Sequence, residues 1–181
     1  MALSATIFKV QLQVSDLDRQ YYADHQLTLA RHPSETDERM MVRLLAFALH
    51  ADERLGFTKG LCVDDEPDLW QKGLSGEIDL WIDVGLPDER RVRKASGRAR
   101  QVVLYIYGGR TADLWWQRNS SALGRLSNLD VIEISEETSR GMAEIAKRSM
   151  QVQCTIQDGE AWLSCGDQTL HFTPRHRTNQ E

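Results

Sequence analysis

The sequence predicts an α+β protein in which helices flank a mixed central sheet, and three observations predict it. Residues 78–85 alternate apolar and polar side chains with a period of two, which is typical of a strand with one apolar face. Residues 102–107 form a continuous β-branched and aromatic run, which indicates a strand buried on both faces. Helical patterns beginning near residues 34, 87 and 111 alternate with the strands along the chain, an order that favours a sheet covered by helices.

The N-terminal segment predicts a β-hairpin over residues 4–31. Residues 4–14 alternate in polarity, residues 20–31 do so more loosely, and Ser15-Asp16-Leu17-Asp18 between them has turn composition. We expect this hairpin to extend or cap the central sheet.

A long helix is expected next, from Ser34 to about Leu55. Ser34 is the candidate N-cap, with Asp37 three residues later, and Gly56 is a stop signal. On this helix Glu38 lies in one stripe with Met41, Leu45 and Ala48, so its side chain is expected to face the sheet. A carboxylate there needs a metal or a partner such as Arg39 or Arg43, and the sequence leaves both alternatives open.

The remaining elements follow in order. They are a short strand at 57–63, a helix with Pro87 at its first position, a helix from Thr111 or Asp113, a strand at 131–134 and a helix at 136–149. A C-terminal hairpin is expected over residues 151–173, turning at Asp158-Gly159. Residues from Pro174 onward are polar and are expected to fray.

Length and composition favour a single domain over residues 1–181, with a core at about 32–120 and a hairpin at each end. The formal net charge of −5 argues against a protein that coats nucleic acid non-specifically. Three cysteines without CxxC spacing imply neither a disulfide framework nor a zinc site, and they favour a reducing compartment. Without a signal-peptide pattern or an apolar run of ~20 residues, we expect a soluble cytoplasmic protein with no membrane partner.

The acidic residues of 64–83 form the first candidate site. Asp79 and Asp83 lie on the same face of the predicted strand, Asp68 precedes them by a turn, and a basic segment over Arg90–Arg100 follows. Carboxylates with a cation nearby are what a hard divalent metal and a phosphodiester need. The alternative is the solvated face of a half-exposed strand, with structural ion pairs. The pattern alone does not decide which of Asp68 and Asp79 would join Asp83, because the strand register is open.

The chain resembles the YaeQ family of bacterial proteins along nearly its full length, and through it the core of the PD-(D/E)XK nuclease superfamily. The residues that carry the resemblance are Leu29-Ala30-Arg31-His32-Pro33-Ser34-Glu35-Thr36, Ala51-Asp52-Glu53-Arg54-Leu55, Phe57-Thr58-Lys59-Gly60-Leu61, Asp64-Asp65-Glu66-Pro67, Ile78-Asp79-Leu80-Trp81-Ile82-Asp83-Val84-Gly85-Leu86-Pro87-Asp88-Glu89-Arg90-Arg91, Trp115-Trp116-Gln117 and Thr155-Ile156-Gln157-Asp158-Gly159. The superfamily resemblance implies a restriction-endonuclease-like core with added terminal hairpins.

The resemblance also implies site residues. Pro67-Asp68 would supply a metal-binding aspartate, and Asp83 would be the acidic member of the (D/E)XK element. The lysine position of that element is a glycine here, Gly85. Lys94 on the following helix is the first candidate to supply the missing cation. Glu38 matches the glutamate that the first helix of the superfamily often carries.

Helical geometry makes Arg91 a competitor of Lys94. Val92 and Ala95 belong to the stripe expected to be buried, Lys94 falls ~200° from Val92, and Arg91 lies nearer the stripe. An arginine can clamp a phosphate or a carboxylate, but its high pKa makes it a poor proton shuttle.

Two functions follow as hypotheses. The first is a Mg²⁺- or Mn²⁺-dependent phosphodiesterase acting on nucleic acid, in which Asp68 and Asp83, with Asp79 as the alternate, hold the metal, Glu38 assists, and Lys94 or Arg91 binds the phosphate. The second is a non-catalytic nuclease-like scaffold that binds a protein or nucleic-acid partner, through Arg90–Arg100 or exposed tryptophans. The missing lysine and the net negative charge favour the second.

Overall fold

The structure is a computed structural model that describes residues 3–59 and 63–177. Over these residues the chain forms fifteen elements of secondary structure in two mixed sheets. The elements are β1 (Thr6–Asp16), β2 (Tyr21–Arg31), α1 (Asp37–Leu49), β3 (Leu55–Phe57), β4 (Leu69–Lys72), β5 (Ile78–Val84), α2 (Glu89–Arg98), β6 (Ala99–Ile106), α3 (Arg110–Leu123), β7 (Leu129–Glu133), α4 (Glu136–Glu144), β8 (Ser149–Gln157), β9 (Glu160–Cys165), β10 (Gln168–Phe172) and β11 (Arg175–Arg177). The α+β class predicted from the sequence is confirmed.

The chain divides into two compact units. The first comprises Met1–Ala51 and Glu137–Pro174, and the second comprises Asp52–Glu136 and Arg175–Glu181. No helix within the described ranges is long and apolar enough to cross a membrane.

The first unit is built on a five-stranded sheet in the order β10-β9-β8-β1-β2. Side chains of β1 alternate along its length, so that Val10, Leu12 and Val14 are buried while Gln11 and Gln13 are exposed. The sheet therefore has one core face and one solvent face. The two terminal hairpins were expected to extend or cap the central sheet; instead they pair with each other, because β1 lies parallel to β8.

Helix α1 is shorter than the sequence indicates at both ends. Its N-cap is Thr36, whose hydroxyl oxygen accepts a hydrogen bond from the Arg39 N–H at 3.1 Å. The Oγ of Ser34, the expected N-cap, is hydrogen-bonded to Nδ1 of the His32 ring at 2.6 Å. The helix ends at Leu49 rather than at about Leu55, with His50 as its C-cap, and Leu55 is the first residue of β3.

The second unit contains a six-stranded sheet in the order β11-β7-β6-β5-β4-β3. Strands β5, β6 and β7 are parallel, joined through α2 and α3. A hydrophobic cluster packs Val92 of α2 and Trp116 of α3 against Leu104 and Ile106 of β6. Strand β6 is buried on both faces along most of its length, as predicted from the continuous apolar run.

Three local expectations are corrected here. Helix α4 ends at Glu144 rather than residue 149. Residues 175–177, expected to fray, pair with β7, where Arg177 Nε donates to Glu133 at 2.6 Å. Of the strand expected at 57–63, only Phe57 belongs to β3; residues 60–62, with Cys62, lie outside the described residues.

Candidate functional site

The register between β4 and β5 brings Asp68 and Asp83 together. Leu69 pairs with Ile82, so Asp68, one residue earlier, lies opposite Asp83. The Asp68 N–H donates to the Ile82 carbonyl at 3.0 Å, and one Asp68 carboxylate oxygen accepts the Val84 N–H at 2.8 Å. Both aspartates are buried, with 4% and 5% of their surface exposed. They lie at the carboxyl end of β5, the edge of a parallel sheet where ligands commonly bind.

Arg91 holds Asp83 with two hydrogen bonds. Asp88 caps α2 by accepting the Arg91 N–H at 2.9 Å, which places Arg91 in the first turn of the helix. Its Nε and Nη2 donate to the two Asp83 oxygens at 2.9 and 3.0 Å. The same guanidinium donates to the carbonyls of Asp64 and Glu66, each at 2.8 Å. One side chain thus joins α2, β5 and the loop that precedes β4.

The surroundings of Arg91 favour its charged form. Partial burial lowers the pKa of the guanidinium, but the hydrogen bonds and charge of Asp83, with the charges of Asp68 and Asp64, outweigh it and raise the pKa above its ordinary value. Arg91 is therefore a permanent cation at this position and not a proton carrier.

Lys94 pairs with Asp65 rather than with Asp83. Its ammonium group donates to the exposed carboxylate of Asp65. That hydrogen bond, followed by the lysine charge, lowers the pKa of the Asp65 carboxyl, although its slight desolvation acts the other way. Of the two cations weighed from the sequence, Arg91 is the one that contacts Asp83.

Asp79 does not join the two buried aspartates. It precedes Asp83 by four residues on β5, about 13 Å along a strand. Its carboxylate is paired with Arg54 Nη1 at 3.3 Å and with Arg100 Nε at 3.4 Å. The strand register therefore selects Asp68, not Asp79, as the neighbour of Asp83.

Glu38 belongs to the first unit. It is half-buried on α1, and its Oε1 accepts the hydroxyl hydrogen of the buried Ser139 at 2.8 Å.

Glu35 is a buried acid that the sequence analysis did not single out. Its carboxylate accepts from Arg39 Nη1 at 2.8 Å and from Arg43 Nε and Nη2 at 2.7 and 2.8 Å. The spacing of four residues from Glu35 to Arg39 and four more to Arg43 is the sequence signal that could have revealed this network. It ties the start of α1 to β2, because Arg43 also donates to the Ala30 carbonyl at 3.1 Å.

The backbone explains why glycine stands at the position of the missing lysine. Gly85 has a φ of +118°, a conformation that L side chains rarely adopt. Its N–H donates to the Tyr105 carbonyl at 2.9 Å. A lysine at residue 85 would strain the chain where it leaves β5.

Most of the basic segment Arg90–Arg100 is engaged with neighbouring groups. Arg93 pairs with Glu89, and Arg98 donates to the Asp65 carbonyl at 2.7 Å and lies over the Trp81 ring. Within the described part of the chain, Arg90 is exposed and makes no ion pair. The segment therefore presents much less free positive charge than its sequence indicates.

Both aspartates of the pair are engaged with protein hydrogen-bond donors. Both oxygens of Asp83 accept hydrogen bonds from Arg91, and one oxygen of Asp68 accepts the Val84 N–H. No group of three or more His, Cys, Asp or Glu side chains within residues 3–59 and 63–177 has an arrangement that could hold a metal ion. The two Asp83 oxygens match the two N–H groups that the Arg91 guanidinium presents to them.

A groove of about 430 Å³ opens beside this edge of the sheet, between the start of α2 and α3. Its lining includes Leu86, Pro87, Leu114, Trp115 and Arg118. The Trp115 indole N–H donates to the Pro87 carbonyl at 2.8 Å, which fixes one wall of the groove. Leu114 and Arg118 are exposed. The groove thus combines an aromatic ring, apolar surface and a cation with two acidic residues at the start of α2, Asp88 and Glu89.

Comparison with known proteins assigns the family. A family model described as "YaeQ protein" matches residues 1–174. The chain belongs to the YaeQ family. It is 53% identical over 164 residues to the "Uncharacterized protein YaeQ" of Escherichia coli (strain K12), covering 91% of each protein. The protein of the same name from Salmonella typhi is 51% identical over the same length.

Two solved YaeQ structures share the fold. The crystal structure of the protein from Xanthomonas axonopodis pv. citri matches with a TM-score of 0.93 at 50% identity, covering 97% of this chain and 99% of that one. The structure from Pseudomonas syringae matches with a TM-score of 0.92 at 33% identity, covering 97% of both chains.

Proposed function

We propose that this YaeQ family member is a nuclease-like scaffold that binds nucleic acid without metal-dependent catalysis. The observation that carries the proposal is the pair of hydrogen bonds from Arg91 to Asp83. In the PD-(D/E)XK resemblance Asp83 is the metal-binding acid, and here a guanidinium takes both of its oxygens. Asp83 then orients Arg91, which bonds the loop before β4, and each Asp83 oxygen already accepts a hydrogen bond.

The groove beside α3 is the binding surface in this proposal. Arg118 lines the groove, is exposed, and has no ion pair within the described residues, so it is available to a phosphate. Arg90 and Arg110, at the starts of α2 and α3, are exposed cations of the same kind. Trp115 and Leu114 add apolar surface on which a base can lie. Free arginines next to an aromatic ring favour nucleic acid over a protein partner.

Fluorescence anisotropy tests the proposal with a labelled dT₂₀ strand and a labelled 20-bp duplex, each in EDTA and in Mn²⁺. We expect binding in EDTA, no gain in affinity with Mn²⁺ and no cleavage. Arg118→Ala should weaken binding about fivefold, the equivalent of one phosphate contact of ~1 kcal/mol. Arg125→Ala is the matched control, because Arg125 is exposed and does not line the groove. Absence of binding to both nucleic acids would contradict the proposal.

A Mg²⁺- or Mn²⁺-dependent phosphodiesterase acting on nucleic acid is the second candidate. It is favoured by the position of Asp68 opposite Asp83 at the carboxyl end of β5. Two carboxylates together with substrate phosphates are a common environment for Mg²⁺. In this candidate Arg91 has to release Asp83. The roles of Glu38 and Lys94 are those that the resemblance implies, and Asp79, paired with Arg54 and Arg100, takes no part in metal binding.

Calorimetric titration of the chelator-treated protein with Mn²⁺ separates the two candidates. The scaffold predicts no binding heat in the wild-type protein. The phosphodiesterase predicts binding that is lost in both Asp68→Ala and Asp83→Ala and kept in Asp79→Ala, with cleavage of dT₂₀ or the duplex. Circular dichroism of each variant shows whether it remains folded.

A further inference from the structure

Five exposed glutamines line a depression of about 490 Å³ on the solvent face of the sheet in the first unit. They are Gln11, Gln13, Gln26, Gln151 and Gln153. Within the described part of the chain, none of the five side-chain amides makes a hydrogen bond. Unbonded amides side by side on a rigid sheet offer donors and acceptors to a ligand.

The strand register arranges these glutamines in two rows. Gln11 on β1 lies opposite Gln26 on β2 and Gln151 on β8, which forms the first row. In the second row Gln13 lies opposite Gln153. Neighbouring strands lie about 4.8 Å apart, so the amides are evenly spaced across the sheet.

This surface carries little charge. Asp24 lies in the depression, and Lys9, one row away on β1, donates to the Thr28 hydroxyl at 3.0 Å. At the border of the surface, the Glu160 carboxylate lies 3.6 Å from His171 Nε2. Ser164 on β9 extends the second row and is hydrogen-bonded to Thr169 on β10 at 2.9 Å. A phosphodiester would find hardly any cations here. The face instead matches an uncharged ligand that is rich in hydroxyl groups.

An aromatic row borders the amides. Thr155 on β8 pairs with Trp162 on β9, which pairs with His171 on β10. The Trp162 and His171 rings stack with centroids 4.6 Å apart and an interplanar angle of 2°. The C–H face of a sugar ring packs against such rings, while its hydroxyls exchange hydrogen bonds with neighbouring amides.

We propose that this solvent face binds an uncharged oligosaccharide. The glutamines of β1, β2 and β8 hydrogen-bond its hydroxyls, and the Trp162–His171 pair supports one sugar ring. The proposal concerns the first unit only and does not rest on the proposed nucleic-acid function.

Titration of the ¹⁵N-labelled full chain with maltohexaose, cellohexaose and chitohexaose, monitored by NMR, tests it. We expect at least one of the three to shift the side-chain NH₂ signals of the lining glutamines and the Trp162 indole signal. The double variant Gln13→Ala/Gln153→Ala should bind about tenfold more weakly. Gln117→Ala, which removes an exposed glutamine of α3, is the matched control and should bind within about twofold of wild type.

Three outcomes would overturn the proposal. One is the absence of any shift with all three sugars at several millimolar. Another is equal affinity in the wild type and the double variant. The third is a different occupant, seen as dT₁₀ shifting the same glutamine signals or as a dimer, in analytical ultracentrifugation, that the double variant dissociates.

Discussion

Two neighbouring cations on α2 differ sharply in what their loss would cost. Arg91 bonds a carboxylate whose side chain is 6% exposed, whereas Lys94 pairs with Asp65 at the surface. Removing one partner of a buried ion pair leaves the other charge desolvated and unpaired. We expect Arg91→Ala to lower the free energy of unfolding by about 2 kcal/mol, below the full penalty because Arg91 is itself partly exposed.

Urea unfolding of Arg91→Ala and Lys94→Ala measures this difference. Lys94→Ala should remain close to wild type, because surface ion pairs contribute little. Equal destabilisation in the two variants would show that the contact with Asp83 has no special energetic role.

The buried thiol of Cys154 gives the protein a defined sensitivity to alkaline pH. Burial, with a smaller contribution from the charge of Asp16, raises its pKa from 9.0 to about 12. Below pH 9 the thiol is protonated in both the folded and unfolded states; between pH 9 and 12 only the unfolded state loses the proton, so stability falls as pH rises. From this thiol alone we expect the free energy of unfolding to fall by about 1.4 kcal/mol between pH 8 and pH 10.

Urea unfolding at both pH values detects this loss. Cys154→Ala should lack that part of the pH dependence, and Cys165→Ala, at a half-buried thiol, should keep it. An identical pH dependence in wild type and Cys154→Ala would contradict the prediction.

A site residue could be predicted from the sequence only where the pattern that identifies it is local. The sequence made Lys94 the first candidate and Arg91 its competitor from helical angles, because both residues lie on one short helix; in the structure Arg91 is the one that contacts Asp83. The choice of Asp68 over Asp79 needed the β4–β5 register, which no local pattern contains. The roles assigned to these residues in catalysis stay predictions.

At the scale of elements, the start of α1 shows how a cap is chosen between two similar residues. Ser34 and Thr36 both precede the helix, but only the Thr36 hydroxyl accepts a backbone N–H of the first turn. We expect Thr36→Ala to cost about 1 kcal/mol of unfolding free energy and Ser34→Ala distinctly less. Urea denaturation of the two single variants measures both, and a larger loss in Ser34→Ala would contradict the structural assignment of the cap.

Elements were predictable where the pattern was long and marked by its ends. Helix α2 was expected with Pro87 at its first position, but Asp88 is its N-cap and Glu89 its first residue; β6 stood out as an apolar run. Strand β4 has only four residues and shows no clear period, so the sequence order implied a strand there but did not give its bounds. Strand β11 depends on Arg177, whose bonds to Glu133 and Asp113 come from distant parts of the chain.

At the scale of the whole molecule, each of the two units is built from two segments that are far apart in the sequence. The chain leaves the first unit after Ala51, returns to it at Glu137 and leaves it again after Pro174. The pairing of β1 with β8, which begins at Lys9 and Ser149, joins the two hairpins into the five-stranded sheet. No local sequence pattern predicts a contact between residues so far apart. The two hairpins could be predicted; their partnership could not.

Charge distribution over the whole molecule makes a last prediction, which rests on the proposed nucleic-acid function. The net charge is −5, and most cations of α2 are engaged with neighbours. Arg118 in the groove, and Arg90 and Arg110 at the starts of α2 and α3, are exposed arginines that make no ion pair among the described residues. Three phosphate contacts on a single strand correspond to a slope of about −2 in log K against log salt concentration. Anisotropy titrations with dT₂₀ over a range of NaCl concentrations measure it. Arg118→Ala should reduce the slope by about 0.7, and Arg125→Ala should leave it unchanged. A slope near −4 would show instead that the ion pairs of α2 open on binding, so that the whole basic segment contacts the strand.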